Sequence, residues 1–105
     1  QEPPDVILLQ FSLNGEGGPG ESYAGYGPNA QAQSGFAFVT GYREGPPSQP
    51  AVPVADSVTA LHIAVAAIAA LHHRDQVGEG QLIEVSMTEA MTSVMGAALL
   101  AEQSG

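Results

Sequence analysis

The chain contains no cysteine and no tryptophan, and its only cations are Arg43 and Arg74. Without cysteine, disulfides and thiolate chemistry are excluded, and a reducing compartment such as the cytoplasm is the expected location. Two cations against 11 acidic residues leave a formal charge of −9. Nucleic acid and anionic membrane surfaces need clustered positive charge, so neither is expected as a partner. The longest apolar run, Leu61 to Leu71, is interrupted by His62 and falls short of the ~20 residues of a membrane span. No basic segment with a cleavage site opens the chain. With 105 residues there is material for one small domain or part of a larger one. Gln1 at the start and Ser104-Gly105 directly after an apolar helical pattern favour the second. Alanine supplies much of the 44% apolar content. Such small side chains bury little area each, so stability must come from close helix packing or from docking on other structure.

The order of patterns is that of an α/β protein. Val6 to Leu13 is a near-continuous apolar run with a β-branched start, as in a buried parallel strand. Asn14 to Gly20 is loop by composition. Asn29 to Val39 reads as a short helix, with Pro28 suited to its first turn, and the proline-rich stretch Gly41 to Pro53 as an extended connector. Ser57 to Arg74 is the strongest helical segment, roughly 27 Å long at 1.5 Å per residue. His72, His73 and Arg74 are expected in its last turn, where they complement the helix dipole. Gln81 to Met87 alternates like a strand. Ser86-Met87-Thr88-Glu89 then opens a last helix, Thr88 to Gln103, with a capping-box pattern.

Several motifs invite chemistry, and most have a plainer reading. Gly15-Glu16-Gly17-Gly18-Pro19-Gly20 fits G-x-G-x-x-G after a strand. Pro19, Gly25 and Pro28 nevertheless keep the chain from delivering a helix N-terminus, and Glu16 and Glu21 would repel phosphate, so it reads as a loop. His72 and His73 are adjacent and point about 100° apart on a helix. His62 lies nearly three turns away, so no metal site is expected. Glu84 and Glu89 could form a carboxylate pair, but a solvent-side strand residue and a capping residue account for them. Asp56 has two readings. It is either an N-cap accepting a backbone N–H, or an anion stabilised by helix-start N–H groups and fit for nucleophilic attack.

The stretch from Gly45-Pro46-Pro47 through Val52-Pro53-Val54-Ala55-Asp56-Ser57, Ile68 to Arg74, and Gly78-Glu79-Gly80-Gln81 to Ala90 resembles the family III CoA-transferases. The 2-methylacyl-CoA racemases share much of this pattern. Pro4-Asp5-Val6-Ile7 to Pro19, Tyr26 to Gly35 and the Thr40-Gly41 step extend the likeness over almost the whole chain. The resemblance implies an α/β fragment, residues 1–105, of a Rossmann-like large domain, without its N-terminal part and without the small domain. It also implies movement of CoA between an acyl-CoA and a carboxylic acid, with coenzyme A as substrate and no permanently bound cofactor.

In that likeness Asp56 matches the catalytic aspartate, which attacks the thioester to give an anhydride and then an aspartyl-CoA thioester. Tyr26 stands where racemases carry histidine and so points to the transferase branch, beside the thioester. Met87 matches a residue lining the same pocket, although a core methionine before a helix is an alternative. Glu79, where relatives mostly carry arginine or lysine, and Ala24, at a place basic in some relatives, depart from the pattern. An interlaced homodimer is implied for the full-length protein, and no turnover is expected from the isolated segment. The remaining alternatives are a racemase using Asp56 as general base and a non-catalytic piece that only folds and docks.

Overall fold

The computed structural model describes residues 3–105. Two parallel strands, β1 (Ile7–Ser12) and β2 (Gln81–Ser86), pair in register from Ile7 opposite Gln81 to Ser12 opposite Ser86. Between them run α1 (Gly27–Gln33), α2 (Phe36–Val39) and α3 (Val54–Val77); α4 (Met87–Ser93) and α5 (Gly96–Ser104) follow β2. A parallel pair needs a long crossover, and here the crossover contains three helices.

The strands lie where the apolar runs placed them, but β1 is not buried on both faces. Leu8 and Leu82, opposite one another, are 42% and 64% exposed. The other face is turned toward α3, where Leu9 and Phe11 line cavities against that helix and remain 38% and 62% exposed. The expected helix over Asn29 to Val39 is two helices. Gly35 interrupts it with φ +85°, a left-handed conformation that glycine adopts without a Cβ penalty.

α3 extends beyond the expected Ser57–Arg74 at both ends. Pro53, with φ −75°, is its N-cap rather than part of the connector, because proline is pre-set for helix entry and lacks the N–H a helix start leaves unpaired. Asp56 is therefore inside the first turn and does not cap the helix. The last turn is Arg74–Val77, not His72–Arg74. Gly78 ends it with φ +77° and donates its N–H to the Arg74 carbonyl at 2.7 Å. At 24 residues, with a best-window mean hydropathy of 1.9, α3 is long and apolar enough by composition to cross a membrane. The core helix of a folded domain meets the same criterion.

The expected final helix is also broken, at Val94-Met95. Ser93 Oγ and Thr92 Oγ1 donate back to the carbonyls of Ala90 and Thr88 at 2.6 and 2.9 Å, and Gly96 opens the next helix. Such back-bonding weakens and bends a helix end. The capping pattern holds in its first half: Ser86 Oγ accepts from the Glu89 N–H at 3.2 Å.

The core is small and lies at one end. Leu13, Ala30, Ala55, Met87 and Met91 form it where α1, α3 and α4 converge below the C-terminal ends of the strands. Ser86 Oγ and the Thr88 N–H both donate to the Leu13 carbonyl, at 3.3 and 3.0 Å, tying the end of β1 to the β2–α4 junction.

Candidate active site

At that same end a cavity of about 400 Å³ opens beside Asp56, with Phe11 from β1, Thr59, Ile63 and Ala64 from α3, and Met87 from the start of α4 among its lining. Open parallel α/β sheets bind ligands outside the carboxyl ends of their strands, and this cavity occupies that place. Its walls are apolar apart from the Asp56 carboxylate and the Thr59 hydroxyl. That hydroxyl is already committed to the Ala55 carbonyl at 2.7 Å. Asp56 is exposed, and among the described residues its carboxylate accepts no hydrogen bond.

The backbone around Asp56 is by contrast fully occupied. The Val54, Ala55 and Asp56 N–H groups donate to the Val52 carbonyl (2.9 Å), the Gln31 side-chain oxygen (3.2 Å) and the Pro53 carbonyl (3.2 Å). The amides of this helix start are therefore engaged with the protein's own acceptors rather than free for a ligand.

Tyr26 is the N-cap of α1 and its N–H donates to Asn29 Oδ1 at 2.9 Å; its own side chain is 81% exposed. The next residue, Gly27, is buried, and a Cβ built on it would lie 2.8 Å from Asp56 Oδ2. The backbone that carries Tyr26 is thus packed directly on the Asp56 carboxylate. Met87 belongs to the core cluster and also faces the cavity, so the two readings of it are not exclusive.

The other candidates disperse. Glu84 is exposed and accepts a hydrogen bond from the Glu16 N–H. Glu21 accepts from the Gly17 N–H at 2.8 Å, and Ser12 Oγ from the Gly15 N–H at 2.9 Å. The Gly15, Glu16 and Gly17 amides are thus bonded to the protein's own side chains, which agrees with the reading of this stretch as a loop. His62 shares its ring nitrogens between the Val58 carbonyl and Ser93, and His72 meets Gln76. Among the described residues no group of three or more His, Asp or Glu side chains is placed to hold a metal.

The family model for CoA-transferase family III matches residues 1–105. The chain belongs to that family. Among family III relatives, a succinyl-CoA–D-citramalate CoA-transferase of Chloroflexus aurantiacus is 32% identical over 88% of this chain and 23% of its own length. A succinyl-CoA:mesaconate CoA-transferase of Haloarcula hispanica is 38% identical over 87% of this chain and 24% of its own. A CaiB/BaiF family protein from Brucella suis superposes with a TM-score of 0.90 over 97% of this chain and 27% of that one, at 27% identity. The chain therefore spans 23% and 24% of the length of the two enzymes it matches.

Sequence reasoning named Asp56 and Met87, which share the cavity, and Tyr26, whose side chain is exposed and outside the cavity lining while its neighbour Gly27 packs on Asp56. It missed Gly27 and Gln31. Gln31 is fully buried, yet in sequence it is one of two glutamines in an alanine-rich helix. The signal that could have found it is Pro53: a helix opened by proline has no side-chain acceptor of its own and must take one from elsewhere.

Proposed function

We propose that the full-length enzyme containing this segment moves CoA between an acyl-CoA thioester and a carboxylic acid, with Asp56 as the covalent nucleophile. One observation carries the reading. A carboxylate without a hydrogen-bond partner of its own stands at the mouth of an apolar cavity at the carboxyl ends of parallel strands. The family relatives act on acyl-CoA, with succinyl-CoA in the names of those described above.

The steps balance without any other reactant. A carboxylate oxygen of Asp56 adds to the thioester carbonyl carbon, the C–S bond breaks, and CoA leaves as thiolate with an acyl-aspartyl anhydride left behind. The thiolate then attacks the aspartyl carbonyl, releasing the donor acid as carboxylate and leaving an aspartyl-CoA thioester. The acceptor carboxylate repeats the exchange in reverse, restoring Asp56 and giving the new acyl-CoA. Splitting one acyl transfer into such exchanges lowers each barrier.

A racemase would use Asp56 as a base and needs a second group to return the proton on the other side of the α-carbon. In the family likeness Tyr26 stands where racemases carry histidine, and that residue supports the transferase. We place the segment within the large domain of an enzyme acting as a homodimer in the cytoplasm, with the remaining CoA-binding groups supplied from outside these residues. The test is incubation with acyl-CoA and trapping with hydroxylamine or borohydride. An adduct on the Asp56 peptide supports the transferase; exchange of the α-hydrogen without adduct supports the racemase. The isolated 105 residues are expected to show no CoA transfer.

A further inference from the structure

Gln31 and Gly27 lie four residues apart on α1, on one face of that helix, and they grip two consecutive residues of α3. Gln31 Oε1 accepts the Ala55 N–H at 3.2 Å, and the Gly27 backbone packs on the Asp56 carboxylate. The first contact takes the place of a missing cap. The N-cap of α3 is Pro53, which has no side-chain acceptor, and Ala55 is 0% exposed, so water cannot satisfy its N–H. A buried amide N–H without a partner is costly, and a side chain from another helix provides one.

The other end of Gln31 shows what the residue is kept for. Nε2 is buried and has no hydrogen-bond partner, although buried polar atoms are almost always paired. The Ala55 N–H fixes which end of the amide faces α3, since the reverse orientation would oppose two donors. A position that tolerates an unpaired amide nitrogen is held there by its oxygen.

We infer that Gln31 and Gly27 are positioning residues for Asp56: the glutamine oxygen fixes where α3 begins, and the absent Cβ at Gly27 leaves the carboxylate its place. This rests on Asp56 being the nucleophile. The two contacts are separable in kind. A Cβ at Gly27 would meet the Asp56 Oδ2, Cγ and Oδ1 atoms at 2.8, 3.0 and 3.1 Å. All three lie at the far end of a side chain that can swing away, so the methyl is cheap for folding. For an attacking group held in near-attack geometry the same displacement is expensive, because a misplacement of about 1 Å can cost about 10²-fold in rate.

The experiment uses the full-length enzyme and three variants. Gln31→Met keeps length and packing but removes the acceptor for Ala55. Gly27→Ala keeps that hydrogen bond and adds only the methyl. Asp56→Ala removes the proposed nucleophile. Single-turnover formation of the Asp56 adduct is expected to slow about 10²-fold in Gln31→Met and in Gly27→Ala, with KM for acyl-CoA within about threefold of wild type. In the Asp56→Ala background neither change should lower the residual turnover further, because both act through that carboxylate. If Gln31→Met does not fold, as its melting profile would show, Gly27→Ala alone decides. Rates within about twofold of wild type, losses carried by KM alone, or equal losses with Asp56 absent would each overturn the inference. A wild-type enzyme that transfers CoA with no label on Asp56 would instead defeat the nucleophile reading. Labelling at Asp56 with unimpaired variants would defeat only the positioning role.

Discussion

The two halves of α3 differ sharply in their surroundings. Its N-terminal half is held on several sides, by α1, by α4 and by the sheet, with Ala55 and Thr59 buried. Its C-terminal half rests on the sheet along one face only, with Ala70 buried there. A stripe of Leu61, Val65 and Ile68, each 69% exposed, starts late in the N-terminal half and runs into the C-terminal one on another face. Beyond them a second, larger cavity of about 580 Å³ lies between Ile7, Leu9, Ala67, Leu71 and Arg74. One helix thus has a finished end and an open one. The finished end is where the backbone donors are satisfied and the candidate nucleophile is placed. Contiguous exposed apolar surface of this kind is suited to contact with other structure.

The contrast can be broken most forcefully at Asp56. In the full-length enzyme Asp56→Asn is expected to lower CoA transfer by at least about 10⁴-fold. Denaturant stability should move by no more than about 0.5 kcal/mol, since the carboxylate is exposed and unbonded. A large loss of stability would mean that the residue is structural. Met91→Ala attacks the packing beneath the site, where the side chain is 0% exposed, and should cost about 2–5 kcal/mol of unfolding free energy by denaturant titration. Ser86→Ala removes the cap of α4 and its bond to the Leu13 carbonyl, with an expected cost of about 0.5–2 kcal/mol. The smallest effect belongs to the exposed stripe. In the 105-residue chain Leu61→Ser should change stability by about 0.5 kcal/mol or less. The same substitution should cost the full-length enzyme more if other structure covers the stripe, and equal effects in both would dissolve the contrast.

Much of this was readable from residue order. Apolar runs of β type and the alanine-rich helix gave the strands and α3, because periodicity reports directly on which residues must be covered. Element ends were less readable. Pro53 starts a helix where a proline-rich connector was expected to end, since the same fixed φ serves both. The breaks at Gly35 and at Val94-Met95 depend on local choices, a left-handed glycine and hydroxyls bonding back to the helix, that the apolar pattern does not encode. Asp56 was found through the collinear frame around it, not through its own chemistry. Gln31 stayed hidden because a buried glutamine and an exposed one look alike until the N–H they face is known.

The decisive measurement is peptide mass spectrometry of the full-length enzyme after brief incubation with acyl-CoA and trapping. A mass shift confined to the peptide containing Asp56, upward with hydroxylamine and downward with borohydride, and absent from Asp56→Asn, is the expected result. Turnover with every adduct on another residue, or α-hydrogen exchange with none at all, would contradict the assignment of Asp56 as nucleophile.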